Sequence, residues 1–444
     1  MAFFLFPLLL FIVFATWQFV GKPHFALSGI LIASVFSALL YEQPIELGVS
    51  IYAHDIVFIP LFICALYRVF LKGELASISI LWIIYGLLLF YQVFIGITTY
   101  GTPAAADFRT CFYYWTGGIY FMSFQYTEAT LNRLIKYWLN TCLILLALVY
   151  FRLAADVANL PMAQAWRSMD AGDIRFRVIN GQHTYLLGVA VVMLFHKYLV
   201  NNETKPSKII TALFIIAVIV LQHRSVWMAT FVAMISSLAL PSIKKTKVIN
   251  NLIIISIMGI ILLIPVVYMG YADKIISNIF LSAERATSLT TGTFGARVSG
   301  WKTILYYFSH QNFLHQLLGD PFGSGYARSK IVPHNFYFQA LLRVGVLGTF
   351  VLLLTYLITM AKLFIKLAKK DDTNIYLSLF LMLMIGQQTF YVPYGQQAEH
   401  GIILGIAISL AKRKKLLSNL NNTKSQSQYF INTTPRLEKD VNKT

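Results

Sequence analysis

The feature that most constrains the fold of this chain is a succession of long apolar runs with only short polar stretches between most of them. Thirteen runs are close to or above the length that crosses a bilayer, at 2–20, 25–41, 48–70, 76–97, 109–125, 137–155, 184–200, 208–222, 225–241, 248–270, 336–362, 374–391 and 400–411. The 444 residues are 57% hydrophobic and 12% charged, which is more apolar length than a soluble domain buries. The sequence therefore predicts an all-α polytopic membrane protein with about twelve to thirteen transmembrane helices.

The charged residues are strongly unbalanced, with 36 Lys and Arg against 18 Asp and Glu and a net charge of +18. In a membrane protein this excess is expected in cytoplasmic loops, so we do not expect nucleic acid as a partner.

The three cysteines, Cys64, Cys111 and Cys142, lie in apolar runs without CxxC spacing. That placement is typical of small core residues and argues against a disulfide framework or a metal site.

Basic residues between the runs predict the orientation of the helices. If every run spans, the basic clusters all fall on one side, which is then the cytoplasm. The clusters are Arg68/Lys72, Arg133/Lys136, Lys197/Lys205/Lys208, Lys244/Lys245/Lys247, Lys362/Lys366/Lys369/Lys370 and Lys412/Arg413/Lys414/Lys415. If every run spans, the N-terminus lies outside, which is unusual for so short a tail. One early run, either the first or the run 109–125, is therefore a candidate to lie in the interface instead.

These assignments divide the chain into four parts. The N-terminal transmembrane bundle covers 1–270, a long outer loop with an amphipathic helix covers 271–335, and the C-terminal transmembrane helices cover 336–415. The remaining 416–444 is rich in Asn, Ser, Thr and Lys, which predicts a disordered cytoplasmic tail. No repeat of fixed period and no similarity between halves is evident, which argues against an inverted-repeat transporter.

The stretch 331–350, IVPHNFYFQALLRVGVLGTF, joins a polar loop to an apolar helix that carries two glycines. Pro333 fixes the turn before the helix, so His334 and Asn335 fall at or near its N-terminus. Free N–H groups and the helix dipole favour an anion there, which makes this a candidate site for phosphate chemistry. The alternative is that His334 and Asn335 only cap an interfacial helix, with Tyr337 and the phenylalanines as an aromatic belt.

Three arginines on the predicted outer side are further candidates. Arg224, in LQHRSVWMA, lies between two apolar runs, and an ionisable residue at membrane depth is by default functional. The alternative for Arg224 is a turn residue whose side chain reaches back to the interface. Arg297 shares one face of an amphipathic helix with Trp301, and Arg177 precedes the seventh run. Taken alone, Arg297 and Arg177 are most simply interfacial anchors.

Acidic residues give less support to catalysis or to a metal. Asp55, near the outer end of the third run, is either a structural counter-ion for an arginine or a catalytic carboxylate. The outer carboxylates Asp170 and Asp173 lack neighbouring ligands, and no paired-cysteine or HxxxH spacing occurs. We therefore expect no metal and no cofactor. Guanidinium groups, whose fork binds phosphate oxygens bidentately, would then have to neutralise any diphosphate.

Four motifs together resemble the O-antigen ligase and O-antigen polymerase superfamily of bacterial envelope glycosyltransferases. They are HRSVWMA with Arg224, ARVSGW with Arg297, GDPFGSGY, and HNFYFQALLRVGVLG with His334. The similarity covers about 175 to 350 in the family's order, and the HN-aromatic helix is its most specific part. RVINGQHTY is similar to the family's Arg-x-x-x-Gly stretch. Arg343 departs from the family pattern, which commonly has an acidic or neutral residue there.

The resemblance implies a multi-pass glycosyltransferase of the GT-C type in the bacterial inner membrane, with its active site facing the periplasm. It implies undecaprenyl-diphosphate-linked oligosaccharide donors, no metal, arginines on the diphosphate and a histidine on the acceptor hydroxyl. The loop arginine is either Arg297 or Arg285. The expected substrate-binding residues are Arg224, Arg297, Arg285, Arg177, Asn335 and Tyr337, with His334 as the catalytic residue.

The superfamily that this sequence resembles contains enzymes with two activities. A polymerase joins a growing chain to another lipid-linked repeat unit, whereas a ligase moves a finished chain onto lipid A core. We favour the polymerase, since nothing in the sequence marks a lipid A core-binding surface. The implied partners are the lipid-linked glycan donor, a glycan or lipid-linked glycan acceptor, membrane lipid and a chain-length regulator protein. The hypothesis from another class is a flippase or exporter of lipid-linked sugars, which would show related halves and short outer loops.

Overall fold

The computed structural model describes residues 2–40, 43–46, 50–71, 77–158, 160, 178–200, 208–238, 257, 277, 293–324, 335–365, 375–390 and 398–412. Helices make up 88% of it, so the described part of the chain is all-α. The described residues from Ala2 to Ala411 form one compact unit. The predicted tail 416–444 lies outside the described residues.

The helices and strands follow one another in this order. The first half of the chain forms α1 (Ala2–Gly21), α2 (Pro23–Leu39), α3 (Ala53–Leu66) continued by the π-helical turn Tyr67–Leu71, α4 (Ser77–Tyr100), α5 (Thr102–Met122), α6 (Glu128–Val157), α7 (Gly181–Val200), α8 (Lys208–Val220) and α9 (Arg224–Leu238). The second half forms α10 (Thr293–Ser309), α11 (Phe313–Leu318), α12 (Phe336–Ile365), α13 (Ile375–Phe390) and α14 (Ala398–Lys412). Two short antiparallel strands between α2 and α3, β1 (Ile45–Glu46) and β2 (Ser50–Ile51), pair Ile45 with Ile51.

The helices overlap every predicted apolar run except 248–270, which lies outside the described residues apart from Ile257. Within the described residues, four segments are long and apolar enough to cross a membrane: Ala53–Leu71, Ser79–Tyr100, Glu128–Asp156 and Phe336–Ile365. Shorter apolar helices are Leu9–Gly21, Pro23–Leu39, Lys208–Val220 and Arg224–Leu238. Large apolar side chains such as Trp17, Phe94 and Phe350 are exposed on these helices, as lipid-facing residues are. The chain is therefore an all-α membrane protein.

Several helix starts follow local sequence signals. Pro23 occupies the first turn of α2, where its missing N–H costs nothing. The Thr127 hydroxyl accepts a hydrogen bond from the Thr130 N–H at 3.2 Å and caps α6. The Asp55 carboxylate accepts the Tyr52 N–H at 2.8 Å at the start of α3.

The prediction that the three cysteines are small core residues is confirmed, because Cys64, Cys111 and Cys142 are buried and free.

Helices α5 and α14 pack against each other through glycines. A Cβ on Gly401 would lie 2.4 Å from the Tyr114 carbonyl oxygen, and one on Gly405 would lie 2.6 Å from the Gly118 carbonyl oxygen. Such close backbone approach is how small residues let membrane helices associate. Residues Ala398–Ala411 of α14 are all buried, so this helix lies in the centre of the bundle.

Alanine at Gly405 is expected to destabilise the protein, because its Cβ would meet backbone that no rotamer change can move. Overpacking of this kind costs about 1–3 kcal/mol. The check is the melting temperature of the detergent-solubilised protein. Gly21→Ala is the matched control, since a Cβ there has nothing within 4 Å. Equal melting temperatures for the two variants would contradict the close packing of α5 on α14.

Helix α12 is broken at Gly345, which corrects the prediction of one continuous apolar helix. Gly345 has φ 64° and ψ −168°, and helical backbone resumes after it. A left-handed φ favours glycine, and a Cβ at this position would also lie 2.3 Å from the Leu317 carbonyl oxygen. The break was not predictable from the run itself, because the segment that packs against it is distant in sequence.

Buried polar contacts define two ends of the bundle. At one end, Arg68 donates from Nη1 to the Val20 carbonyl at 2.7 Å and from Nε to the Ser123 hydroxyl at 2.8 Å. At the other end, Arg152 donates to the Ala38 carbonyl at 2.7 Å and to the Val178 carbonyl at 3.0 Å. Val20 and Ala38 are separated by the length of α2, which is about 25 Å for a helix of this size.

Candidate functional site

A cluster of polar side chains, all buried except the half-buried Gln182, lies at the same end of the bundle as Arg152. We call Ser34, His54, Gln182 and Glu399 the Glu399 cluster. His54, Gln182 and Glu399 are each the second residue of a helix, α3, α7 and α14 respectively, and Ser34 lies in α2. Three helix N-termini therefore meet here, and their free N–H groups and dipoles favour negative charge.

The hydrogen bonds of the Glu399 cluster form a chain. Ser34 Oγ donates to Glu399 Oε1 at 3.0 Å and lies 3.0 Å from His54 Nε2. Gln182 Nε2 donates to the two carboxylate oxygens at 3.3 and 3.5 Å. Glu399 and Ser34 are fully buried, so the carboxylate depends on these partners.

The turn before Arg224 lies beside the start of α7. His223 Nε2 lies 3.0 Å from the Ile179 carbonyl oxygen, and the Asn180 side chain caps the α7 N-terminus by accepting the His183 N–H at 3.1 Å. Gln222 in this turn is buried and has φ 54°, a conformation that non-glycine residues seldom adopt. Such backbone strain is common at functional sites. The turn places half-buried Arg224, the first residue of α9, on the α7 side of the Glu399 cluster.

The N-terminus of α12 is linked to the same cluster through Tyr114 of α5. The Asn335 side chain accepts the Tyr337 N–H at 2.8 Å and the Phe338 N–H at 3.3 Å, so Asn335 caps α12. The Phe336 ring packs edge-on against Tyr114 at 5.6 Å between centroids. The Tyr114 backbone lies against Gly401, two residues beyond Glu399.

Arg297 lies in α10, one turn before Trp301. The Trp301 ring on the same face stacks on Phe338 of α12 at 5.5 Å, and Ile304 packs with Leu342. This contact brings the helix of Arg297 next to the capped N-terminus of α12. Tyr337 of α12 donates its hydroxyl to the Met384 carbonyl at 3.0 Å.

The remaining predicted site residues lie outside the described part of the chain. These are His334, Arg285 and Arg177. The structure thus brings Arg224, the Arg297 helix, Asn335 and Tyr337 to the end of the bundle that holds the Glu399 cluster. Among the described residues, no group of three or more His, Cys, Asp or Glu side chains is arranged to hold a metal ion.

Asp55 is a structural counter-ion, which was one of the two interpretations of the sequence. Its carboxylate lies 3.3 Å from Arg109 Nε and accepts the Tyr113 hydroxyl at 2.5 Å. Together with the bond from the Tyr52 N–H, these contacts occupy both carboxylate oxygens.

Glu399, Gln182 and Ser34 were missed by the sequence reasoning. A carboxylate directly before an apolar run, as in AEHGIILG, is the signal that would have found Glu399. Ser34 and Gln182 carry no such signal, because a serine in an apolar helix and a glutamine before one are common. Comparison with known proteins adds no candidates, since no family model and no curated protein matches the chain.

Proposed function

We propose that this chain is a metal-independent, GT-C-like glycosyltransferase of the bacterial inner membrane, and that it polymerises undecaprenyl-diphosphate-linked repeat units at the periplasmic face. The observation that carries the proposal is the convergence of Arg224, the Arg297 helix and the Asn335-capped N-terminus of α12 at one end of the bundle. Guanidinium groups and helix N-termini are the groups that bind a diphosphate without a metal.

The charge pattern supports placing this end at the periplasm. Arg68, which belongs to a basic cluster predicted to be cytoplasmic, lies at the opposite end from the Glu399 cluster. Described residues of three predicted outer segments lie at the Glu399 end: His223 Nε2 lies 3.0 Å from the Ile179 carbonyl oxygen, and Gln182 donates to Glu399. This arrangement follows the positive-inside tendency.

The chemistry proposed is a displacement at the anomeric carbon of the donor sugar. An acceptor hydroxyl oxygen forms the new glycosidic bond, the bond to the diphosphate oxygen breaks, and undecaprenyl diphosphate leaves with the electron pair. Arg224 and the loop arginine, Arg297 or Arg285, stabilise the charge that develops on the leaving group. His334 takes the hydroxyl proton, for which an imidazole with an ordinary pKa of about 6.5 is suited near neutral pH.

The Glu399 cluster positions these groups. Glu399 joins α14 to α2 and α7 by hydrogen bonds, and Ser34 extends the network to α3. Because its carboxylate is fully buried, Glu399 has no surface on which to meet a sugar. We therefore assign it the task of holding the helix N-termini together beneath the donor site.

A second candidate function is export of lipid-linked sugars, and Glu399 is the observation that favours it. A buried carboxylate with a hydroxyl and an imidazole in line is what a proton-coupled transporter needs.

A ligase is the alternative within the transferase class, since it would use the same donor head group. A chain-length regulator is the partner that a polymerase would require to set product size.

The test is reconstitution of the purified protein in lipid vesicles with an undecaprenyl-diphosphate-linked repeat unit, with and without lipid A core. We expect a ladder of polymer that persists with a metal chelator. One transfer to lipid A core would identify a ligase. Translocation without new glycosidic bonds would identify an exporter and refute the proposal.

The variant Glu399→Gln distinguishes a glycosyltransferase from a proton-coupled exporter. The amide oxygen still accepts the Ser34 bond, so transfer should fall by about fivefold or less, which corresponds to one neutral hydrogen bond of about 1 kcal/mol. An exporter that moves a proton on Glu399 would lose coupled transport, because an amide does not titrate.

A further inference from the structure

The segment Leu318–Ser324 is inserted into the break of α12. Asp320 donates its N–H to the Leu342 carbonyl at 2.6 Å, a carbonyl whose helical partner is lost at the break. Gly319 has φ 90°, and a Cβ there would lie 2.4 Å from the Arg343 carbonyl carbon. The two backbones therefore touch, and the segment fills the gap that Gly345 opens.

An ion pair between buried Arg343 and half-buried Asp107 holds the segment from one side. Arg343 is 1% exposed and pairs with Asp107 of α5. It also donates to the Pro321 carbonyl at 2.8 Å and to the Ser324 hydroxyl at 3.1 Å. Asp107 accepts the Gly323 N–H at 3.2 Å. One charged pair thus binds α5, α12 and the segment together.

Gln92 of α4 holds the segment from the other side. Its Nε2 donates to the Leu318 carbonyl at 2.6 Å and to the Gly319 carbonyl at 3.1 Å. Its backbone carbonyl accepts the Phe322 N–H at 3.3 Å. The Phe322 ring meets the Phe108 ring edge-on at 5.2 Å, which closes the contact with α5.

We infer that Asp107, Arg343 and Gln92 are positioning residues that clamp the segment 318–324 into the break and so fix the first half of α12, residues 336–344. This inference rests on the proposed function, because it is the N-terminus of this half that we place at the donor diphosphate. A continuous helix would hold its own N-terminus in place. A helix broken at Gly345 needs lateral anchors, and the clamp supplies them.

The consequence for catalysis is geometric. None of the three clamp residues lies at the α12 N-terminus, and Arg343 is seven residues beyond Phe336. Loosening the clamp would let the first half of α12 tilt, which displaces groups at its N-terminus from the donor. Misplacement of a reacting group by about 1 Å lowers turnover about a hundredfold.

The experiment compares full-length variants in vesicles by hydrogen exchange and by turnover. Gln92→Leu removes one anchor without leaving a charge, and Asp107→Leu with Arg343→Leu removes the ion pair without leaving a lone buried charge. We expect faster exchange in 318–324 and 336–344, unchanged exchange in α13, and kcat about a hundredfold lower. Arg109→Gln is the matched control, since Arg109 lies on α5 like Asp107 but pairs with Asp55 of α3.

Three results would overturn the inference. The first is unchanged hydrogen exchange in 336–344 of the variants. The second is an increase of exchange in α13 as large as that in 336–344. The third is faster exchange confined to 318–324 and 336–344 with a wild-type kcat. The control should match wild type in both measurements. A wild-type protein without transferase activity would refute the proposed function instead, and the exchange data would still decide whether the clamp holds α12.

Discussion

Replacing Arg224 by alanine is expected to abolish most polymer formation while the protein stays folded. Arg224 is half-buried at the first residue of α9, beside the turn that contacts the start of α7. Loss of one group that stabilises developing charge costs about 10²–10³ in turnover. Arg224→Lys should also be impaired, because an ammonium retains the charge but not the bidentate fork. The measurement is the initial rate of ladder formation with saturating donor.

Arg133→Lys is the control for this result, since Arg133 is exposed on α6 and belongs to a predicted cytoplasmic cluster. It should leave the rate unchanged. Full activity in Arg224→Ala would remove Arg224 from the site. The same comparison assigns the loop arginine: full activity in Arg297→Ala together with loss in Arg285→Ala would move that role to Arg285.

The positions of the helices were predictable because lipid imposes a simple rule. Every spanning helix needs a run of apolar residues, so the runs mark where helices lie. The break at Gly345 was not predictable, because a glycine in an apolar run does not reveal that Leu317 and Gly319 approach it. Those contacts depend on a segment more than twenty residues earlier, and periodicity reports only local structure.

The candidate site was predictable in part, for a related reason. Arg224 and Asn335 stand out because they interrupt or begin apolar runs, and the structure places both near the Glu399 end. Arg343 departs from the pattern of the superfamily that the sequence resembles, and in the structure this buried arginine pairs with Asp107. A charge and its partner on distant helices cannot be matched from one sequence, so the pairing appeared only in the fold.

His334→Ala is expected to lower turnover by about two to four orders of magnitude, with donor binding retained, if His334 is the general base. The competing interpretation is that His334 caps α12. Asn335 already caps that helix through two hydrogen bonds from N–H groups of its first turn. Loss of a helix cap costs about 1 kcal/mol of stability. Thr127→Ala removes the cap of α6, so the stability that it loses is the reference value for a cap in this protein.

The glutamine and asparagine variants of His334 then separate proton transfer from positioning. An amide accepts a hydrogen bond from the acceptor hydroxyl but takes up no proton near pH 7. If His334 is the base, both variants should be as slow as alanine, and the wild-type rate should fall with acidity as the imidazole protonates. If His334 only orients the acceptor, the amides should restore much of the rate and flatten the pH profile. Near wild-type polymer from His334→Ala at equal protein level would exclude both roles, and proton transfer would then have to be assigned elsewhere at the Glu399 end.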